Sequence, residues 1–356
     1  MKSTLLTYGQ SGADFRHLSS ADARRMEAAE EHGALRYAQA VAPLHPEWGT
    51  AWEEFAGGHL VFVQRMSPVG RAHGMGFCAA TSGKARLGAR GRAGGRKSEA
   101  GGEDSTYVAA RDAEKNAARQ QATEAVCKVK ITPEAIAHVE DFYFSREADA
   151  QVDVCPYADP SLFAALNERG FQVAEFNQTL ARWISPDEEL VPASDLLKNA
   201  GELSKLEVRS IEPGEAQEWS AISARVFFGD QWQQWQELFK PWAGAPDSMN
   251  LAAFADGQMV GMAGGLVVRE YNMAGFWGAS VLPEFRGRGI QRAFLQERLR
   301  LAQQAGCDLA VTLTLPGTAS QRNAERAGFR TAYTKVVCIK RHPEGKGVYV
   351  EVGYSK

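Results

Sequence analysis

Val281-Leu282-Pro283-Glu284-Phe285-Arg286-Gly287-Arg288-Gly289-Ile290-Gln291 is the stretch on which the fold of this 356-residue chain turns. A hydrophobic strand ends at Pro283, which has no N–H to offer a ladder, so pairing to a neighbouring strand must splay there. Gly287 and Gly289 remove side chains where the backbone has to turn and approach a ligand. A long amphipathic helix over 289–305 follows directly. Its first amides lack intrahelical partners and carry the positive end of the helix dipole, which suits an anion. Arg286 and Arg288 add charge at the same point. Together these devices describe a cradle for a pyrophosphate.

Two better-known glycine motifs do not fit. The third glycine of G-x-G-x-x-G is replaced by Arg292, and no Gly-Lys-Ser or Gly-Lys-Thr is present. Context gives the stretch its meaning. A strand over 205–210, a helix over 213–228 and an aromatic-rich helix carrying Trp232, Trp235 and Trp242 come first. Strands over 250–255 and 258–270 flank Asp256-Gly257, a dipeptide suited to a tight hairpin with positive φ. A strand over 275–282 leads into the cradle, and after the long helix come a strand (309–315), a short helix (320–327) and a last strand (331–340).

Upstream, a helix capped by Ser20 or Asp22 runs to Pro43, followed by strands at 59–63 and 74–77. Residues 79–128 are expected to be a mobile insertion, because 79–102 are almost entirely small, basic or polar and cannot build a core. Within it, Arg90-Gly91-Arg92-Ala93-Gly94 imitates part of the cradle, with no strand before it and no helix directly after. Thr132 and Pro133 start a helix, and a strand (151–155), a helix (160–168) and a strand (171–183) follow. Cys155-Pro156, Pro160-Ser161 and Gly170-Phe171 run parallel to Leu315-Pro316, Ala319-Ser320 and Gly328-Phe329, so one fold is expected twice. The expected domains are 1–184, a linker at 185–204, and 205–356.

Composition narrows the function classes. The formal net charge of -3 gives no electrostatic case for nucleic acid, and no apolar run reaches the roughly 20 residues of a membrane helix. Five scattered cysteines contain no C-x-x-C pair, and none of the seven histidines has a sequence partner, so no metal site is expected. The cytoplasm is the expected location.

The residues of the cradle and its context resemble the GCN5-related N-acetyltransferase superfamily. Its cofactor motif, Gln/Arg-x-x-Gly-x-Gly/Ala after a strand ending Val-x-Pro, is matched by Arg286, Gly287, Arg288, Gly289 and Ile290, with Gln291 in the last place. The resemblance covers about 205–341. It implies an α/β (α+β) fold of two such domains, each a mixed, mostly antiparallel sheet flanked by helices and splayed at the cofactor site. It implies acetyl-CoA (acyl-CoA) as co-substrate, main chain around Ser280 and Val281 receiving the thioester and pantetheine, and Ser320 and Asn323 near the pantetheine or adenine. It also implies direct transfer of the acetyl group, in a ternary complex, to a small-molecule or peptide amine. A homodimer is compatible with it. The N-terminal half looks like a copy that has lost the cradle.

The family's general acid, a Tyr four residues before the Gly-Phe pair, is replaced by Ala324, and the strand over 275–282 holds no acid to serve as base. Tyr333, Tyr271 and Glu270, with Asp230, are the substitutes the sequence offers. Three readings therefore stand: an N-acetyltransferase, an acyltransferase using another acyl or aminoacyl donor, and a non-catalytic acyl-CoA sensor.

Overall fold

The computed structural model describes residues 18–65, 70–78, 128–197 and 206–347. The insertion read over 79–128, except its last residue, lies outside them, as do 1–17, 66–69, 198–205 and 348–356.

Helix α1 (Ser20–Val41) starts one residue earlier than its expected caps: Ser19 accepts from the Asp22 amide while the Asp22 carboxylate takes the Ser19 N–H. Strands β1 (Ala51–Phe55) and β2 (Gly58–Phe62) form a hairpin over Ala56-Gly57, both at positive φ. β3 is only Ala72–His73, where the sequence suggested a strand over 74–77; Gly74 and Gly76 at positive φ break it there, and Phe77 keeps a single bridge to Lys128. α2 (Pro133–Phe144), β4 (Ala150–Val154), α3 (Pro160–Glu168) and β5 (Gln172–Trp183) complete the first half. Cys78 is disulfide-bonded, although the scattered cysteines had suggested no disulfide framework.

The expected linker contains a helix, α4 (Ala193–Leu197), whose Ala193 and Leu197 pack against Ile290, Ala293 and Phe294. The second half runs β6 (Leu206–Ser210), α5 (Ala216–Phe228), α6 (Gln236–Ala243), β7 (Leu251–Ala255) and β8 (Gln258–Val268). It ends with β9 (Met273–Val281), α7 (Ile290–Gln304), β10 (Leu309–Thr314), α8 (Ala319–Arg326) and β11 (Arg330–Lys340). Asp256-Gly257 turns β7 into β8 with both residues at positive φ, as read. Trp235 and Trp242 are core residues, with Trp232 partly buried against them.

The eleven strands of the described residues form one sheet in the order β1-β2-β3-β4-β11-β5-β10-β9-β8-β7-β6. Eight of its ten neighbouring pairs are antiparallel; β3–β4 and β9–β10 are parallel. The run β1-β2-β3-α2-β4-α3-β5 matches β7-β8-β9-α7-β10-α8-β11 in order and in pairing sense. Each half nevertheless gives its last strand to the other: β11 lies between β4 and β5, and β5 between β11 and β10. The two sheets of the sequence reading are thereby one. Helix α1 bridges them, with Ala23 and Met26 in the core of the first half and Tyr37 and Val41 in that of the second.

Candidate active site

The parallel pairing of β9 with β10 stops at Phe276–Thr312, whereas β10 continues along β5 to Thr314. Beyond that point Gly278, at φ +59°, and a register shift against β8 turn β9 away, so residues 277–281 have no strand partner on the β10 side. The gap opens into a cleft of about 450 Å³. Its walls include the main chain of β9, the turn before α7, the cleft face of α7, and Thr318, Ser320 and Asn323 at the start of α8.

The turn is built as its residues dictate. Gly287 and Gly289 take φ of +78° and +81°, a region costly for any residue with a Cβ. Gly289 is the helix N-cap and gives no side-chain cap, and Ala293 donates the first helical bond to its carbonyl. The amides of Ile290, Gln291 and Arg292 therefore face the cleft end without an intrahelical acceptor. Arg286 Nε donates to Val281 O at 3.2 Å and ties the turn to the strand end. Gln291 Nε2 donates to Ala279 O at 3.2 Å, so its side chain braces β9.

Ser280, Val281, Arg286, Gly287, Gly289, Ile290, Gln291, Ser320 and Asn323 all line this one cleft. Arg288 does not; its guanidinium lies 5.9 Å from the centre of the Phe285 ring. Ser280 is 2% exposed, and its hydroxyl has no hydrogen-bond partner.

The three catalytic candidates are elsewhere, as is Asp230. Tyr333 is buried under α1 and donates to Glu27 Oε1 at 2.6 Å; burial and that neighbouring carboxylate hold its pKa well above the ordinary range. Tyr271 sits in a turn after β8, edge-on to His32, with its pKa raised by burial. Glu270 is half-exposed and paired with Arg36 at 3.1 Å. None of the four lines the cleft. The sequence placed them by chain distance, which says nothing of the side of the sheet on which they emerge.

Sequence reasoning missed Arg298. It is 2% exposed, lines the cleft, and donates to the carbonyls of Phe294 (3.2 Å), Gly264 (2.9 Å) and Trp277 (3.3 Å). Burial lowers its pKa to about 9. Its spacing of seven from Gln291, two helical turns on the same face, was the available signal.

The corresponding gap in the first half is closed. Gly74, at φ +70°, occupies the place of Gly278. The carbonyl of Gly76, however, accepts from Val129 at 3.3 Å and Asp159 at 3.0 Å, and Met75 and Phe77 fill the space as core. A second cluster lies beneath α1, where the ligand atoms of Glu30, His73 and Asp153 come within 4.8 Å of one another. The Lys335 ammonium stands among them, 2.9 Å from Glu30 and 3.5 Å from Asp153, and takes the place of a cation.

Residues 216–329 match the acetyltransferase (GNAT) family. No curated protein matches the chain. Similar solved structures include a GCN5-related N-acetyltransferase from Sphaerobacter thermophilus (20% identity, TM-score 0.42, over 57% of this chain and 63% of that one). Another, from Kribbella flavida, has 18% identity and a TM-score of 0.43 over 58% of this chain and 74% of that one. A tandem GNAT protein from the clavulanic acid pathway has 15% identity and a TM-score of 0.44 over 59% and 69%. The chain thus spans less than two thirds of the Sphaerobacter protein's length.

Proposed function

Because residues 216–329 form a domain of the acetyltransferase (GNAT) family, we propose that the chain is an N-acetyltransferase moving the acetyl group of acetyl-CoA to a primary amine. The observation that carries this reading is the gap between β9 and β10 closed by the uncapped start of α7. The amides of 290–292, with Arg286, hold the pyrophosphate. Main chain of β9 that has no strand partner takes the pantetheine, which leaves the thioester where the strands part.

In the ternary complex the free-base amine nitrogen attacks the thioester carbonyl carbon. The C–N bond forms, the C–S bond breaks, and the electron pair leaves on sulfur. Main-chain N–H groups of β9 hold the oxyanion. The amine's proton passes through the Ser280 hydroxyl or water to the departing thiolate. The first half, with its gap closed, is a copy without cofactor that supports the second, across the proposed domains 1–184 and 205–356. A small-molecule or peptide acceptor and a cytoplasmic setting belong to the same proposal. No described helix is long and apolar enough to cross a membrane.

One observation favours a second reading, a non-catalytic acyl-CoA sensor: among the described residues, the cleft lining contains no Tyr, His, Cys, Asp or Glu. Titration with acetyl-CoA, then thiol release with a panel of amines, separates the two. Binding with release supports the enzyme, binding without release on any amine supports the sensor, and absence of binding removes both.

A further inference from the structure

Arg298 lies on the cleft face of α7, seven residues beyond Gln291 and so about 10 Å further along the helix axis. Arg286 and Arg292 stand exposed at the mouth, where the pyrophosphate is expected, so that anion is not the counter-charge of Arg298. Its protein partners are three neutral carbonyls and the ring of Phe276, whose centre is 4.7 Å from the guanidinium carbon. No acidic side chain lines the cleft among the described residues. Those bonds use Nε and Nη1 and leave Nη2 without a protein partner.

A buried guanidinium without a counter-ion is expensive to keep. Bracing carbonyls at a strand bulge needs N–H groups and no charge, so a neutral amide would serve there. The charge is placed where it matters for a ligand: Trp277, whose carbonyl Arg298 holds, is the first residue of β9 past its last pairing with β10. On the acyl-CoA reading, this is the thioester end.

We infer that Arg298 forms a carboxylate-binding subsite at the inner end of the cleft. The carboxylate is carried by the acyl chain of the donor, as in a dicarboxylic acyl-CoA, or by the amine acceptor. This rests on the proposed acyl-CoA function and narrows it to anionic substrates.

The test uses the full chain. In one arm, CoA, acetyl-CoA and succinyl-CoA are titrated calorimetrically. In the other, thiol release is measured with pairs of amines that differ only in carrying a carboxylate or its amide. The expected result is a preference of about 10- to 100-fold for the carboxylate in one arm, which identifies its source. The preference falls to about one in Arg298→Met and is intermediate in Arg298→Lys. A wild-type ratio near one in both arms overturns the inference, as does a preference that survives in Arg298→Met. Each ratio is taken within one protein, so lost stability cancels; should the Met variant fail to fold, the wild-type and Lys ratios decide. If CoA binds without any carboxylate preference, only this inference fails; if CoA does not bind, the acyl-CoA function falls and this inference with it.

Discussion

Arg286 and Arg288 carry the same charge on either side of Gly287, and their spacing alone gives them equal weight. The structure separates them: Arg286 lines the cleft and holds the strand end, while Arg288 lies along Phe285 outside it. Arg286→Ala should weaken acetyl-CoA binding about 10-fold, and Arg288→Ala by less than about 3-fold, in calorimetric titration. Equal losses would contradict the geometry. His73 allows a second expectation at this scale. Burial works against its charged form, but Asp153 at 3.0 Å, with Glu30, outweighs burial and raises its pKa above the ordinary 6.5; Lys335 opposes them. The stabilisation from charged His73 is thus fully present below pH 6.5 and is lost as pH rises through the raised folded value. Tm should fall across that window, and in His73→Gln the fall should be shallower. An unchanged slope would show that His73 does not titrate with folding.

At the scale of elements, β11 is seated by charge as well as by its ladder. Lys335, 1% exposed, lies 3.2 Å from Glu27, 2.9 Å from Glu30 and 3.5 Å from Asp153, which joins β11 to α1 and β4. Removing the cation leaves buried Glu27 without a cationic partner, a loss of about 3–5 kcal/mol. Lys335→Met should therefore lower the denaturation free energy by about that much, and further substitution of Glu27 by Gln should recover part of it. A neutral Lys335→Met would mean that the cluster is not a bond between halves. The elements themselves were largely legible from sequence. The Thr132 cap, the Asp256-Gly257 hairpin and the glycine turn before α7 are set by local chemistry, and each stands where it was read. β1 went unread because its Ala51-Trp52-Glu53-Glu54-Phe55 gives little apolar alternation, matching an edge strand that is never fully buried.

For the whole molecule, the exchange of β5 and β11 makes each half incomplete without the other. A fragment of residues 206–356 would lose β4 and β5, leaving β11 without either neighbour and one edge of β10 open. Open edges of that kind pair with whatever strand is available. Expressed alone, the fragment should self-associate or aggregate in size-exclusion chromatography, and coexpression with residues 1–197 should restore a soluble 1:1 complex. A monomeric fragment with a cooperative melt would argue that the halves are independent domains.

The strand end, glycine turn and helix start over 281–291 needed only the sequence, because they act on one another within a few residues. The matching order of elements in the two halves was legible for the same reason, since Pro and Gly-Phe mark turns locally in each. Tertiary structure decided what depends on which surfaces meet. It sent Tyr333 beneath α1 against Glu27, left Arg288 outside the cleft, and brought Arg298 to its wall. It also made two expected sheets one, because strand partners some 150 residues apart are chosen by register and burial, which no local spacing encodes.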